Sequence, residues 1–550
     1  LLSAFLSAQD SRGRIVGRVV DPDGAVVPNA QIVVTNIATG VSARTTANEA
    51  GIFTLPYLLP GTYRLTAELE GFKKFVRDNI QVRIDDSVDV TVQLEIGSVA
   101  ESVEVKSETP LLATAESSLG QVIDERRVME LPLFAGNALD LVHLAPGVAN
   151  GTNLRLRKAP FNNAPSQFST VGGGNYNNEF TIDGVSNTYS DGTSPRVAFS
   201  PPQTAVTEFK VQTTTYDASL GNTIGSVVNV STKSGTNSLH GEAHHWLRNS
   251  AFDTPNIFQN RAGQKLPVYQ DNRFGASAGA PVYLPKLYNG KNRTFWFYAW
   301  EMNLFGDPQS HTATVPTDQM RQGDLSQLLA LGPSYQVYDP FTTAPAANGR
   351  FSRQPFPGNI IPASRLDPVA LKMMSLWPSP NAPGNREFRN NYFNTNKALE
   401  TYWVHLARFD HAFSDNHRMF VRVHRDFWEE DKNRTFSNDV NGIILNRINR
   451  GIALDDVIVV SPSFLVNLRY GITQQEFPER RVSQGVDLAS FGFSPQLVNS
   501  IPRNLAVIPN TTVGSFTALS GWESGDGTTA SLIHNAVATV TWLRGKHNVR

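Results

Sequence analysis

The stretch Phe464-Leu465-Val466-Asn467-Leu468-Arg469-Tyr470-Gly471-Ile472-Thr473 alternates apolar and polar side chains with a period of two. Successive side chains of a β-strand point to opposite faces. Phe464, Val466, Leu468, Tyr470 and Ile472 are therefore expected on one face, and Asn467, Arg469 and Thr473 on the other. One apolar and one polar face suit a half-exposed soluble sheet, or a membrane barrel with a polar lumen. The neighbouring segments decide between these two classes.

Eight segments of this kind occur after residue 236, and each is long enough to cross a bilayer at a tilt. They lie near 238–248, 272–283, 292–304, 401–413, 417–428, 447–460, 463–476 and 531–543. Several alternate clearly: Met419, Val421 and Val423 oppose Arg418, Arg422 and His424. The segments near 295–300 and 447–460 carry bulky residues on both predicted faces. The pattern favours a run of antiparallel strands.

The connections between these segments alternate strictly in length. Those after the second, fourth, sixth and eighth are short, including Ser414-Asp415-Asn416, Ser461-Pro462 and Arg544-Gly545-Lys546. The others are long, and the third runs from about 305 to 400. Short periplasmic turns and long outer loops are typical of an outer-membrane β-barrel. We expect the polar set (Arg422, His424, Asn467, Arg469, Thr473) to line the lumen, and Phe295, Trp296, Phe297, Tyr298 and Trp300 to form an interfacial aromatic girdle.

The first hundred residues have a different pattern, with short strands near 15–20, 31–35, 51–55, 61–69 and 88–94 separated by turns such as Asp21-Pro22-Asp23-Gly24. This spacing resembles the carboxypeptidase regulatory-like (transthyretin-like) family. The matching positions are Gly17, Asp21, Gly24, Pro28, Ala30, Gly51, Phe53, Pro60, Gly61, Tyr63, Gly71 and Phe72. The resemblance implies a non-catalytic β-sandwich. The segment has no His or Cys with which to hold zinc.

Between this segment and the strand run, the motif Asn178-Glu179-Phe180-Thr181-Ile182-Asp183-Gly184-Val185 predicts a strand entering a tight Asp-Gly turn. A second motif runs from Gly221 to Asn237 and continues into His240-Gly241-Glu242. Both are similar to the plug of TonB-dependent receptors. The resemblance implies structural roles for Asp183, Gly184, Gly225, Lys233 and Gly235.

The sequence thus predicts a mainly β protein. We expect a signal-peptide remnant at 1–8, a β-sandwich at 12–96, a mixed α/β plug at 100–235 and part of an antiparallel transmembrane barrel at 236–550. An N-terminal strand or helix stub is the alternative for 1–8. Plugged transporter barrels have about 22 strands, and an eight-stranded barrel has no room for a plug. The eight predicted strands therefore indicate an N-terminal fragment of such a receptor.

Composition excludes several other classes. The net charge of −1 gives no excess positive charge with which to bind nucleic acid. The chain has no Cys, which excludes a disulfide scaffold and Cys-based zinc sites. Gly172-Gly173-Gly174 lacks the Lys and the strand-to-helix setting of a phosphate loop. His244 and His245 point to opposite faces of a strand, so the group that they form with His240 is not expected to bind metal. We expect no enzyme and no cofactor.

The resemblance implies an outer-membrane receptor that takes up a scarce solute and is driven by a TonB-type energy-transducing complex. Its N-terminal domain would lie in the periplasm. Ser102-Val103-Glu104-Val105-Lys106 is the candidate contact segment for that complex, with Val103, Glu104 and Val105 at its centre. A linker or the last strand of the sandwich is the alternative for this segment.

A structural or adhesive protein of the same architecture remains the second functional hypothesis. Oligosaccharides are the ligand class that family resemblance favours, ahead of siderophores and peptides. Five aromatic residues of the long loop suit stacking on sugar rings or packing within the loop: Tyr335, Tyr338, Phe341, Phe351 and Phe356.

Overall fold

The computed structural model describes residues 12–97, 102–105, 119–131, 133, 136–150, 168–171, 173–174, 177–191, 194–214, 223–255, 257–261, 268–520, 527–544 and 547–549. The predicted signal-peptide remnant at 1–8 lies outside this range. Within it, none of the helices has the length and hydrophobicity needed to span a membrane. The strands form three bodies, which follow one another along the chain.

The N-terminal domain is a sandwich of two β-sheets. Its strands are β1 (Gly13–Val20), β2 (Gln31–Asn36), β3 (Ser42–Thr46), β4 (Ile52–Leu58), β5 (Gly61–Glu68), β6 (Lys74–Val82), β7 (Ser87–Gln93) and β8 (Ser102–Val105). One sheet has the order β4-β1-β7 and the other the order β3-β2-β5-β6-β8. Their inner faces enclose a core that includes Ile15, Ile32 and Leu65. A Cβ at Gly17 would lie 2.0 Å from the carbonyl oxygen of Val90, so this position admits only glycine.

The plug has a central five-stranded sheet with short peripheral elements. In chain order it comprises β9 (Leu119–Ile123), α1 (Glu125–Glu130), a 3₁₀-helix (Ala138–Leu144), β10 (Val148–Asn150), β11 (Phe168–Thr170), β12 (Glu179–Ile182), β13 (Val185–Ser186), β14 (Thr188–Asp191), β15 (Ser194–Val197), β16 (Val206–Thr214) and β17 (Val227–Thr232). The order of the central sheet is β13-β12-β17-β16-β9. Every residue of β17 is buried, because β17 is an interior strand of the plug sheet and that sheet packs against the barrel wall.

The barrel wall is one antiparallel sheet of nine strands. Its members and the short hairpins between them are β18 (His240–Asn249), β19 (Gln270–Pro281), β20 (Tyr283–Leu284), β21 (Tyr288–Asn289), β22 (Thr294–Ala313), β23 (Ala344–Pro345), β24 (Phe351–Ser352), β25 (Tyr392–Ser414), β26 (His417–Lys432), β27 (Ile443–Ser461), β28 (Phe464–Arg481), β29 (Gly527–Arg544) and β30 (His547–Val549). The wall runs in chain order from β18 to β30, without β20, β21, β23 and β24. All eight predicted segments overlap wall strands. The observed strands are longer than predicted at the ends that lead into the long connections.

The two faces of the wall separate as the alternation predicts. Asn467 and Arg469 are 2% and 3% exposed on the inner face, whereas Leu468 is 47% exposed on the outer face. Arg422, His424 and Thr473 are also buried on the inner side. The prediction of a five-residue aromatic girdle is wrong for two members. Phe295 and Phe297 point inward and are buried, since a strand cannot turn consecutive side chains to the same face.

The long outer connections pack together into one folded unit, which we call the outer-loop cap (residues 314–391, 433–442 and 482–520). It contains the short helices α3 (Asp318–Arg321), α4 (Ser326–Leu329), α5 (Pro368–Met374) and α6 (Pro495–Ser500), whereas α2 (Ile257–Arg261) belongs to an earlier loop. Trp377, Phe436, Ile508 and Leu519 share its hydrophobic core. The Trp377 indole donates a hydrogen bond of 2.7 Å to the carbonyl oxygen of Thr517. Loops with a common core are held in one arrangement over the outer end of the wall.

Candidate functional site

The turn between β12 and β13 carries the plug motif into contact with the wall. Asp183 and Gly184 have φ values of 50° and 77°, as a tight hairpin turn requires, and Ile182 pairs with Val185 across it. A Cβ on Gly184 would lie 1.9 Å from Nη1 of Arg469 on β28. The same Nη1 donates a hydrogen bond of 3.2 Å to the Gly184 carbonyl oxygen. Glycine is needed here both for the turn and for the approach of this guanidinium.

The carboxylate of Asp183 is the centre of a buried ion cluster. It accepts hydrogen bonds from Nη1 of Arg408 at 3.1 Å and from Nη1 of Arg422 at 2.9 Å. The backbone N–H and the hydroxyl of Thr232 donate to the same carboxylate at 2.9 and 2.8 Å. Burial alone would raise the pKa of Asp183, but Arg408, Arg422 and the Thr232 donors outweigh it and bring the pKa below its ordinary value. The plug carboxylate is therefore ionised and paired with two wall strands.

The wall supplies further charges around this contact. Arg408, which is fully buried, also binds Asp410 at 2.8 Å and lies over the ring of Phe420. Arg469 binds Asp455 at 2.7 Å on the neighbouring strand. Buried charges are stable in this setting only when each is paired and hydrogen-bonded. The cluster thus favours one position of the plug hairpin against the wall.

Lys233 forms a second link between plug and wall. Its ammonium lies 2.7 Å from a carboxylate oxygen of Glu125 in α1 and 3.3 Å from one of Glu242 in β18. A Cβ at Gly235 would lie 2.4 Å from the Trp296 carbonyl oxygen, so the chain passes directly against the wall there. These contacts fix the point where the plug continues into the first wall strand.

Gly225 lies before β17, away from the wall. A Cβ at this position would lie 2.1 Å from the carbonyl oxygen of Asn177. The glycine thus allows two plug segments to approach closely. Asp183, Gly184, Lys233 and Gly235 all lie at the contact with the wall, whereas Gly225 acts within the plug.

The candidate contact segment for the energy-transducing complex is strand β8. It pairs in parallel with β6, with Lys74 opposite Ser102 and Arg77 opposite Val105. It lies at the edge of the five-stranded sheet of the sandwich, which is the alternative weighed for this segment. Roles for Val103, Glu104 and Val105 in binding that complex remain a prediction.

Sequence reasoning missed Arg408 as the main partner of Asp183. The signal was available: Arg408 has the same strand parity as Tyr402, Val404 and Leu406, which are all buried. A charged residue in phase with an apolar inward face indicates a buried ion pair in a β-strand. The pairing itself, between residues 225 positions apart, requires the folded chain.

Gly275-Ala276-Ser277-Ala278-Gly279 matches the Gly-x-Ser-x-Gly pattern of serine hydrolases by its letters. It lies wholly within wall strand β19, whereas the nucleophile of those enzymes stands on a sharp strand-to-helix turn. The Ser277 hydroxyl is directed to Glu242 at 3.5 Å. Within the described residues, His240, His244 and His245 belong to no group suited to holding a metal ion.

The aromatic residues of the long loop divide into two sets. Tyr335 donates a hydrogen bond to Glu387, and Phe356 is buried, so these two pack within the cap. Tyr338, Phe341 and Phe351 are exposed, Phe341 to 84%. Phe341 lies under the guanidinium of Arg365 at 4.5 Å, and two hydrogen bonds of 2.7 and 2.9 Å from Arg365 to Asp339 fix that guanidinium.

Comparison with known proteins gives two family matches. The Outer membrane beta barrel domain family matches residues 231–550, and the Carboxypeptidase regulatory-like domain family matches residues 14–95. The TonB-dependent transporter Oar of Myxococcus xanthus is 26% identical over 320 residues, which are 55% of this chain and 27% of the relative. The chain thus spans about a quarter of the length of this curated relative.

Two solved structures are similar to parts of this chain at low sequence identity. The outer membrane transporter YddB of Escherichia coli has a TM-score of 0.46 at 10% identity, covering 77% of this chain and 45% of its own. A mutant of the ferric enterobactin receptor PfeA of Pseudomonas aeruginosa has a TM-score of 0.38 at 12% identity, covering 78% and 46%. The family matches cover the wall and the sandwich, and the plug hairpin is held between them. The chain belongs to the Outer membrane beta barrel domain family and is an outer-membrane protein with a periplasmic Carboxypeptidase regulatory-like domain.

Proposed function

We propose that this protein is a TonB-dependent receptor that takes up a scarce solute across the outer membrane, that a TonB-type energy-transducing complex drives the uptake, and that the solute is an oligosaccharide. The observation that carries the proposal is the Asp183 ion cluster. It holds the plug sheet against the wall through buried charges from β25 and β26. Breaking such contacts requires work, and the proton gradient would supply it through the partner complex.

Strand β8 lies in the chain before the plug and is the proposed point at which that work is applied. Among the residues that the structure describes, it is the edge strand of its sheet, and an edge strand can add to a strand of the partner. A force on β8 would reach the plug through residues 106–118 and β9. The proposed contact residues are Val103, Glu104 and Val105.

The ligand class is proposed on the exposed aromatic residues of the outer-loop cap. The Phe341 ring packs against the Arg365 guanidinium, which the ion pair with Asp339 holds in place, and the ring is exposed to solvent. Rigid aromatic rings bury area on a ligand at little conformational cost, and sugar rings offer a suitable apolar face. Siderophores and peptides are the competing ligand classes in the test.

The experiment measures uptake of a panel of fluorescently labelled oligosaccharides by cells, with and without a collapsed proton gradient. Val103→Pro with Val105→Pro removes two backbone donors, and we expect uptake to be lost. Val103→Ile with Val105→Ile keeps both donors and is the matched control. Gradient-dependent uptake that survives the proline variant would rule out β8 as the contact segment.

A structural or adhesive role is the second candidate, and the outer-loop cap favours it. A cap with its own hydrophobic core is a stable surface that can hold another molecule without any movement of the plug. Oligosaccharide binding that does not depend on the proton gradient, without entry into the cell, would support this alternative over uptake.

A further inference from the structure

The periplasmic N-terminal domain is bound to the plug by one polar face of strand β16. Glu208, Lys210 and Gln212 alternate along β16 and so point to the same side. The Glu208 carboxylate accepts a hydrogen bond from the Ile84 N–H, and the Lys210 ammonium donates one of 2.8 Å to the Asp85 carbonyl oxygen. The Gln212 amide donates to the Asp85 carboxylate at 2.6 Å. Three successive side chains of this face therefore bind one short loop of the sandwich.

The same domain is also bound to the periplasmic end of the barrel wall. Arg12 forms an ion pair of 2.7 Å with Asp455 and a hydrogen bond of 3.0 Å with Asn467. The Tyr57 ring packs against Val457 and Leu465, and its hydroxyl lies 3.2 Å from Oγ1 of Thr541. The side chains of Arg12 and Asp455 are 6% and 2% exposed, so this contact excludes water.

Tyr57 is held in a strained backbone conformation. Its φ is 61°, a region that residues with a large side chain rarely adopt. It is nevertheless in the interior of the contact, with 5% of its surface exposed. Strain of this kind persists where the surrounding structure holds it and is concentrated at functional positions.

A third contact joins all three bodies at the plug-to-wall junction. The Asn237 N–H donates a hydrogen bond of 3.0 Å to the Ala38 carbonyl oxygen. The side-chain amide of Asn237 donates one of 2.7 Å to the Thr39 carbonyl oxygen. The Asn292 N–H, in the short turn before β22, donates 2.8 Å to Oδ1 of Asn237. A cavity of about 900 Å³ lies between the three bodies. The sandwich lies across its periplasmic side.

We propose that the N-terminal domain is a gate, docked on the periplasmic end of the plug and wall, and that it leaves this position during energised transport. This inference rests on the proposed function for its transport step. The docked position occupies the side towards which a solute is released, and its contacts include the plug strand next to β9. Movement of the plug and undocking of the sandwich are therefore coupled.

The absence of cysteine from the chain makes a direct test available. Thr541→Cys places a thiol under Tyr57, and Ser463→Cys places a control thiol in an exposed periplasmic turn of the same wall. Cells that grow in their native medium are treated with a small, charged maleimide. Without the proton gradient, we expect the thiol at position 541 to react at least tenfold more slowly than the thiol at position 463. With the gradient, the rate at position 541 should rise severalfold.

Equal rates at the two positions without the gradient would show that the domain is not docked. If the thiol at position 541 reacts slowly and at the same rate with and without the gradient, the contact is a permanent structural one, and the proposal of a gate is wrong. If labelling responds to the gradient but no oligosaccharide enters, the ligand class is wrong and the gate stands. If oligosaccharide uptake needs the gradient but labelling ignores it, the proposed function stands and the gate is wrong.

Disulfide trapping tests docking by a second route. A Cβ at Gly40 would lie 2.8 Å from Cγ of Asn292, so the two positions are close enough for a disulfide to join them. Gly40→Cys with Asn292→Cys should form a cross-link under mild oxidation, visible as a shift in gel mobility. Gly24→Cys with Asn292→Cys is the control, because Gly24 also has a positive φ but has no heavy atom near its Cβ position. No cross-link in the first pair, or equal cross-linking in both, would refute the docked position.

Discussion

Replacement of Asp183 by Asn is expected to loosen the plug hairpin. The substitution keeps the size of the side chain but removes the charge that Arg408 and Arg422 share. Arg408 retains Asp410 at 2.8 Å, whereas Arg422 has no other carboxylate within ion-pair distance among the described residues. Removal of one partner of a buried ion pair costs about 3–5 kcal/mol. Because Arg408 keeps a partner, we expect the lower end, about 3 kcal/mol, or roughly a 100-fold rise in the opening equilibrium.

Hydrogen exchange of the receptor in lipid nanodiscs measures this opening directly. Peptides that cover β12, its turn and β17 should exchange about 100-fold faster in the Asp183→Asn variant. The double variant Asp183→Asn with Arg422→Gln should recover part of the loss, because it leaves no unpaired guanidinium. Glu430→Gln is the control, since the ion-pair partner of Glu430 is Lys432 on its own strand. A change of less than threefold in the single variant would refute the idea that the cluster holds the plug.

Three further predictions concern the docking contact, the outer face of the wall and the outer-loop cap. Burial raises the pKa of Glu208 to about 7. The hydrogen bond from the Ile84 N–H and the charge of Arg83 lower this pKa, whereas the charges of Asp86 and Asp124 raise it. Docking is therefore favoured when the Glu208 carboxyl is neutral. This contribution to docking is fully present below about pH 4.5, the ordinary pKa of the group, and is lost as the pH rises through about 7. The labelling rate of the thiol at position 541, divided by the rate of the control thiol at position 463, should rise over this range, and Glu208→Gln should flatten this ratio; an unchanged slope of the ratio would contradict the assignment. Val423→Arg places a charge on the lipid-facing side of β26 and should destabilise barrel folding into vesicles by about 2–4 kcal/mol, and a neutral effect would mean that the strand faces are reversed. Phe341→Ala should weaken oligosaccharide binding severalfold while Phe356→Leu, a conservative change in the cap interior, should not; equal effects would assign both to packing.

Much of the wall could be predicted from the sequence, because its two signals are local. A period of two predicts which face each side chain is on, and the alternation of loop lengths predicts which strand ends lie on the same side. The predicted segment near 463–476 accordingly overlaps the observed strand β28. The period of two also explains why the predicted aromatic girdle is wrong for two residues. Phe295 and Phe297 are on the same face of the strand as Ala299, and all three are buried. Applied consistently, the period of two would have excluded a run of neighbouring aromatic residues on one face.

The contacts between the bodies could not be predicted in this way. Asp183 with Arg408, and Arg12 with Asp455, join residues 225 and 443 positions apart, and no periodicity specifies such partners. The strained φ of Tyr57 is also invisible in the sequence, because Tyr after Pro in a strand-like segment predicts an ordinary extended backbone. The outer-loop cap depends on a core assembled from three separate loops, and no local pattern specifies which of their apolar residues meet.

The central claim is that the proton gradient acts on this receptor through the segment before the plug. Disulfide capture tests it most directly, with Glu104→Cys as the only thiol of the chain and a second thiol in the edge strand of the TonB-type partner. We predict a cross-link that forms in energised cells and is strongly reduced when the gradient is collapsed or when Val103 and Val105 are replaced by Pro. No cross-link at residue 104, in cells whose uptake still depends on the gradient, would contradict the account.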